Sequence, residues 1–203
     1  MKKAFIIGAG GHGAVIASII HNDFDEIKYV DIHPDEETIS EDRFFENAAA
    51  YLGDAIFIGI GDNFIRSKVY EKLKKAGLSV ASCISKSAFV AADAVLGMGV
   101  VISHGAVIGA RAVIGNNTII NTLSSVDHHC KIGSNTHITA GVTLTGNTCV
   151  GDNCFFGVKS ATVPGVTIGD NSIVMAGSII YKTVPANVMV EGNPARVIKN
   201  IHL

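Results

Sequence analysis

A chain of 203 residues holds one large domain or two small ones. A formal charge of −2 with no basic run argues against nucleic acid or an acidic membrane surface as partner, and no stretch reaches transmembrane length. The four cysteines (Cys83, Cys130, Cys149 and Cys154) form no CxxC pair, so buried thiols in a cytoplasmic protein are expected.

Residues 4–7 read as a short apolar strand. The lysines before them superficially suggest a signal peptide, but the apolar run stops at Gly8, so no targeting segment is expected. Gly8-Ala9-Gly10-Gly11-His12-Gly13 reads as a loop and 14–21 as the helix after it. Strands are expected at 27–32, ending near Asp31, and at 55–60. Residues 63–76 predict an amphipathic helix with Ile65, Val69 and Leu73 on its apolar face, stopped by Gly77. A last strand is expected at 78–82. Gly8, Gly10 and Gly13 satisfy G-x-G-x-x-G, and Asp31 follows at the distance of the dinucleotide fingerprint. Only one βαβαβ half fits before residue 84, which argues against NAD. What survives is half that machinery: amides at a helix N-terminus for a pyrophosphate, and an acid placed for a ribose or base. The first domain (1–82) therefore reads as a half-Rossmann nucleotide-sugar cradle.

From 84 to 180 the period changes to six. Of the seventeen positions in that column, Ile84, Val90, Leu96 and so on to Ile180, all but Thr162 are large and apolar. A second column four residues later (Ala88, Ala94, Val100 onward to Ser178) is small throughout. Six fits neither a 3.6-residue helix nor a simple strand alternation. It fits a solenoid of short strands and turns, three hexads to a coil, with glycine or asparagine at the bends. Residues 83–203 are expected to form this parallel β-helix. At eighteen residues per coil, His104, Thr122, Ala140, Val158 and Ala176 should stack as one ridge, suited to a long thin ligand such as pantetheine. His128, Gly146 and Pro164 should stack as another. His128, two residues past its anchor Val126, should project outward, where a neutral imidazole accepts a proton from an attacking amine or hydroxyl.

The unbroken hexads, the closing Val184-Pro185-Ala186-Asn187 and Gly192-Asn193-Pro194-Ala195-Arg196, the glycine–histidine loop, Gly59-Ile60-Gly61-Asp62-Asn63 and Val126-Asp127-His128-His129-Cys130 together resemble the hexapeptide-repeat sugar acetyltransferases. Those include the UDP-4-amino-sugar N-acetyltransferases and the sialic acid O-acetyltransferases. The resemblance implies a left-handed parallel β-helix and a homotrimer with acetyl-CoA, and the active sites, between subunits. It also implies a cytoplasmic role in surface-glycan synthesis. His128 matches the family's general base, and His129 stands where the family usually has Glu or Asp. His137 matches a contact to the acetyl-CoA end, Val158 and Ala176 match the cofactor groove, and Gly10, Gly11, His12, Asp31 and Gly61 match the nucleotide-sugar side. The expected reaction is acetyl transfer from acetyl-CoA to the 4-amino group of a nucleotide-linked 4-amino-4,6-dideoxy sugar. The Gly146 amide would stabilise the oxyanion, and no metal is needed. O-acetylation of sialic acid or another sugar hydroxyl is the alternative. A zinc enzyme like the γ-type carbonic anhydrases fits poorly, since His104, His128 and His137 fall at unequal corners.

Overall fold

The computed structural model describes residues 1–201 and divides into two compact units, Met1–Cys83 and Ile84–Leu203. The first unit is a four-stranded parallel sheet. Its strands are β1 (Lys3–Ile7), β2 (Glu26–Asp31), β3 (Ile39–Ser40) and β4 (Ala55–Ile58), in the order β3-β2-β1-β4. The chain steps outward from β1 to β3, then returns to place β4 on the other side of β1. That reversal is a topological switch point, the place where open α/β sheets hold ligands beyond the strand ends. Helix α1 (Gly11–Ile20) leaves β1 there, and α3 (Asn63–Lys75) leaves β4 at the same edge of the sheet.

Several expectations shift on contact with the structure. Helix α1 begins at Gly11, so Gly11, His12 and Gly13 form its first turn instead of a loop. The buried stripe of α3 is Arg66, Val69, Tyr70 and Leu73, while Ile65 is 52% exposed. Residues 78–82 form no strand but a single bridge, Val80 to Ile56. Between β2 and β4 the sequence suggested nothing, yet β3, α2 (Glu41–Glu46) and a 3-10 turn (Ala48–Tyr51) occur. Their anchor is aromatic: Phe44 stacks on Tyr51 at 4.7 Å, and Phe5 of β1 packs against both rings at 5.4 and 4.6 Å.

The second unit is a parallel β-solenoid. Each strand of the hexad column is two residues long, and up to Ile180 each pairs with the strand eighteen residues on, as in Val113 with Lys131 and Ile114 with Ile132. Three sheets result, of five, eight and six strands, the eight-stranded one ending in the hairpin Val188–Gly192 and Ala195–Asn200. The apolar column points inward: from Ile102 to Ile180 each member is at most 5% exposed. At the first coils it opens out, with Ile84 44% exposed. The small column is equally buried, and its hydroxyls and thiols have a use. Thr118, Thr136, Cys154 and Ser172 donate to the carbonyls of Gly133, Gly151, Gly169 and Pro185 one coil on.

The bends obey the same period. Every sixth residue from Gly99 to Gly177 adopts positive φ. Asparagine or glycine fills most of these positions at little steric cost, whereas Arg111, Leu123, His129 and Lys159 pay about 1 kcal/mol each for the left-handed conformation.

Candidate active site

The three corners of each coil are chemically distinct. One joins the five-stranded sheet to the eight-stranded sheet and carries an asparagine ladder, Asn117 to Asn135 and Asn153 to Asn171. The second joins the eight-stranded sheet to the six-stranded sheet. Here the N–H groups of Leu123, Gly141, Lys159 and Gly177 donate to the carbonyls of His104, Thr122, Ala140 and Val158 one coil earlier, so the ridge expected from sequence stacking is a hydrogen-bonded ladder. Val158 and Ala176 are exposed. The N–H groups of Ala140, Val158 and Ala176, which lie on this edge, have no acceptor among the described residues. They form a row of donors spaced by one coil, roughly 4.8 Å.

The third corner, between the six- and five-stranded sheets, holds His128 and Gly146. The N–H groups of His129, Asn147 and Gly165 donate to Ala110, His128 and Gly146, which fixes the stack. The His128 imidazole lies over Gly146. A β-carbon there would fall 2.5 Å from Cε1 and 2.6 Å from Nε2, so glycine leaves the space the ring occupies. The Gly146 N–H donates to nothing among the described residues. The His128 side chain remains 51% exposed. Its backbone N–H donates to Asp127 Oδ1 at 2.7 Å, while Asp127 Oδ2 stands 4.0 Å from Nε2. Nδ1 of His128 is 3.0 Å from Nδ1 of His129, the two rings meeting edge to face.

His137 is not with them. It sits in the eight-stranded sheet, opposite the His128 corner and beside the Val158–Ala176 edge, 7% exposed, its ring edge-on to Phe155 and its Nε2 3.2 Å from Asn121 Nδ2. Within one chain, therefore, His128 and Gly146 share one edge, Val158 and Ala176 share another, and His137 adjoins the second.

In the first unit, the glycines divide by role. At Gly13 a β-carbon would lie 2.1 Å from the Gly8 carbonyl oxygen, and at Gly59 it would lie 2.6 Å from the Gly13 Cα. Those residues let helix, loop and strand close on one another. At Gly10 and Gly11 a β-carbon would meet nothing within 4 Å, and the Gly10 φ of −76° suits any residue. Neither packing nor backbone requires glycine there. Gly10 caps α1 without a side-chain hydrogen bond, which leaves the first-turn amides facing the switch point.

Asp31 is engaged by two backbone amides. Its Oδ2 accepts from Ala9 N–H at 2.8 Å and its Oδ1 from His33 N–H at 3.0 Å, holding the glycine loop to β2. These bonds keep its carboxyl below the usual range. His12 is driven to a pKa of about 4 by burial, with the Arg66 cation adding to the effect, so it is neutral at physiological pH. Gly61 presents its carbonyl to Arg66.

Arg66 was missed by sequence reasoning. Fully buried, it donates to the carbonyls of Gly61 (2.9 Å) and Ile60 (3.3 Å) and to Asn63 Oδ1 (2.8 Å), holding the loop after β4. Burial lowers its pKa to about 10, and it remains a cation. The available signal was a charged residue on the i, i+3, i+4, i+7 stripe of α3. The buried thiols are inert: desolvation pushes Cys83 and Cys154 up to about 12 and raises Cys130. Among the described residues no three His, Cys, Asp or Glu side chains gather as a metal would require, and no helix is long and apolar enough to cross a membrane.

Comparison with known proteins places this geometry. Residues 3–73 match the family described as the PglD N-terminal domain, 111–146 the bacterial transferase hexapeptide (six repeats), and 147–182 the hexapeptide repeat of succinyl-transferase. Perosamine N-acetyltransferase from Caulobacter crescentus, solved with CoA and GDP-perosamine, superposes with a TM-score of 0.93 at 32% identity over 98% of both chains. The chain belongs to the hexapeptide-repeat sugar acetyltransferases. The acetyltransferase domain of PglB from Neisseria gonorrhoeae superposes with a TM-score of 0.92 at 29% identity, covering 98% of this chain and all of that one. A curated relative, galactoside O-acetyltransferase of Escherichia coli, is 59% identical over 39 residues, a match that spans only 19% of its length.

Proposed function

We propose that this acetyltransferase moves the acetyl group of acetyl-CoA to the 4-amino group of a nucleotide-linked 4-amino-4,6-dideoxy sugar. The observation that carries the reading is the pairing of an exposed imidazole with an unengaged amide on one edge, and a row of unengaged amides on another. It is supported by likeness over 98% of the chain to an enzyme solved with CoA and GDP-perosamine. In this reading the nucleotide binds at the switch point of the first unit. The α1 amides past Gly10 and Gly11 face its diphosphate, and Asp31 and Arg66 hold the loops around it.

The thioester lies along the Ala140–Val158–Ala176 edge, whose amides suit the carbonyls of pantetheine, with His137 beside its acetyl end. The sugar amine attacks the thioester carbon. His128 Nε2 takes the amine proton, the Gly146 N–H receives the developing oxyanion, and the C–S bond breaks as the proton passes to the CoA sulfur. Buried cysteines held as thiols supply no nucleophile for a covalent intermediate.

A ligand lying along the second edge runs parallel to the prism axis and does not cross a face to His128. Hence two copies of the chain build each site, and a homotrimer makes three. Free thiols and an acetyl-CoA donor fit a cytoplasmic enzyme, and a nucleotide-linked product fits surface-glycan synthesis. O-acetylation of sialic acid or another sugar hydroxyl is the second reading, favoured by the galactoside O-acetyltransferase match; its short span ranks it below amine acetylation.

The deciding experiment follows CoA thiol release with GDP-, UDP- and dTDP-linked 4-amino sugars and with free sialic acid. Turnover on a nucleotide-linked amine that disappears in His128→Ala supports the proposal. Turnover on sialic acid alone reverses the order of the two readings.

A further inference from the structure

The corner that carries His128 answers how a base of this kind is held when no carboxylate reaches its far nitrogen. We propose that His129 is a positioning residue: its Nδ1 accepts the Nδ1–H of His128 and so keeps the Nε2 lone pair of His128 free for the substrate proton. This deepens the general-base reading and rests on it.

Three observations carry the inference. The two Nδ1 atoms are 3.0 Å apart, a distance at which one must hold a proton and the other must accept it. Asp127, the nearest acid, is committed elsewhere: its Oδ1 takes the His128 backbone N–H at 2.7 Å, and its Oδ2 stands 4.0 Å away, on the Nε2 side of the ring. The His129 backbone is fixed at φ 60° by the six-residue turn period, and its N–H is anchored to the Ala110 carbonyl at 2.9 Å, so its ring is aimed by the coil itself. Arg111 holds the equivalent turn one coil earlier at φ 58°, so the turn accepts a side chain, and at residue 129 that side chain is the imidazole that reaches His128.

The tautomer decides the chemistry. With the shared proton on His128 Nδ1, Nε2 is an acceptor and the ring can take the amine proton; the resulting imidazolium still donates from Nδ1 to neutral His129. With the proton on His129 Nδ1, His128 carries its hydrogen on Nε2 and cannot act as a base.

The chain itself supplies the variants. Glycine fills this turn position at Gly141 and Gly165, and asparagine fills it at Asn135 and Asn147, all with positive φ. His129→Gly therefore keeps the fold and removes the acceptor, whereas His129→Asn keeps the fold and retains a side-chain carbonyl acceptor. His129→Gly is expected to lower kcat by about 10–100-fold, the usual loss on removing an orienting partner, with the KM for acetyl-CoA and the melting temperature unchanged. His129→Asn should recover most of the rate. Nitrogen-15 NMR of ring-labelled histidine should find His128 protonated at Nδ1 above pH 8 in the parent and not in the glycine variant. Equal rates in the glycine and asparagine variants, or an Nε2-protonated His128 in the parent, would overturn the proposal. The base assignment fails separately, through an active His128→Ala.

Discussion

Replacing Gly146 by alanine tests the base without replacing it. The added β-carbon would lie 2.5 Å from His128 Cε1, 2.6 Å from Nε2 and 3.1 Å from Nδ1, against an ordinary contact of 3.4 Å or more. The ring must retreat by about 0.9 Å, and its 51% exposure lets it do so without disturbing the core. The Gly146 backbone lies outside the left-handed region, so alanine fits it and removes chain entropy from the unfolded state, worth about 0.4–1 kcal/mol. Stability should hold or rise slightly. Catalysis should not hold, because displacement of a reacting group by ~1 Å costs roughly a hundredfold. Calorimetry and steady-state kinetics on one preparation read both quantities. An alanine variant with parental kcat would refute the placement of His128 over Gly146 as the working geometry.

The glycines of the first unit should separate by role. Gly13→Ala, whose β-carbon meets a backbone oxygen, should lower stability by about 1–3 kcal/mol in urea melts. Gly10→Ala should fold like the parent and raise the KM for nucleotide sugar, leaving that for acetyl-CoA alone. His12, with its folded pKa depressed from 6.5 to about 4, binds its proton more readily in the unfolded chain. Its contribution is therefore intact above pH 6.5 and is lost as pH falls towards 4, by about 3 kcal/mol in total. His12→Gln should flatten the stability difference between pH 7.5 and pH 4.5. Mixing His128→Ala subunits with Ala176→Trp subunits, each inactive alone, should restore activity, because each hybrid interface can pair an intact base with an intact groove. No recovery on mixing would argue for a site within one chain.

The solenoid is legible in the hexad column, because an inward residue every sixth position packs once coils of eighteen residues close. The ridges followed by arithmetic, and both are hydrogen-bonded ladders. The switch-point sheet was legible from its glycine loop, but β3 and α2 were not: their anchor is Phe44 against Phe5 and Tyr51, contacts that no local period announces. That the Asp31 carboxylate latches the loop through the Ala9 and His33 amides is a contact that spacing cannot reveal. Arg66 was hidden because a charged residue on an apolar stripe reads as an error in the stripe. His129 was visible as a departure from the family pattern, but its 3.0 Å contact required the turn geometry.

The most direct measurement is mass spectrometry of the sugar product after incubation with acetyl-CoA and a nucleotide-linked 4-amino-4,6-dideoxy sugar, before and after hydroxylamine. The account expects one added acetyl group that survives hydroxylamine, as an amide does, and that is absent with His128→Ala. An acetyl group that hydroxylamine removes from the sugar, or one found on Cys130 or Cys149 of the protein, would contradict it.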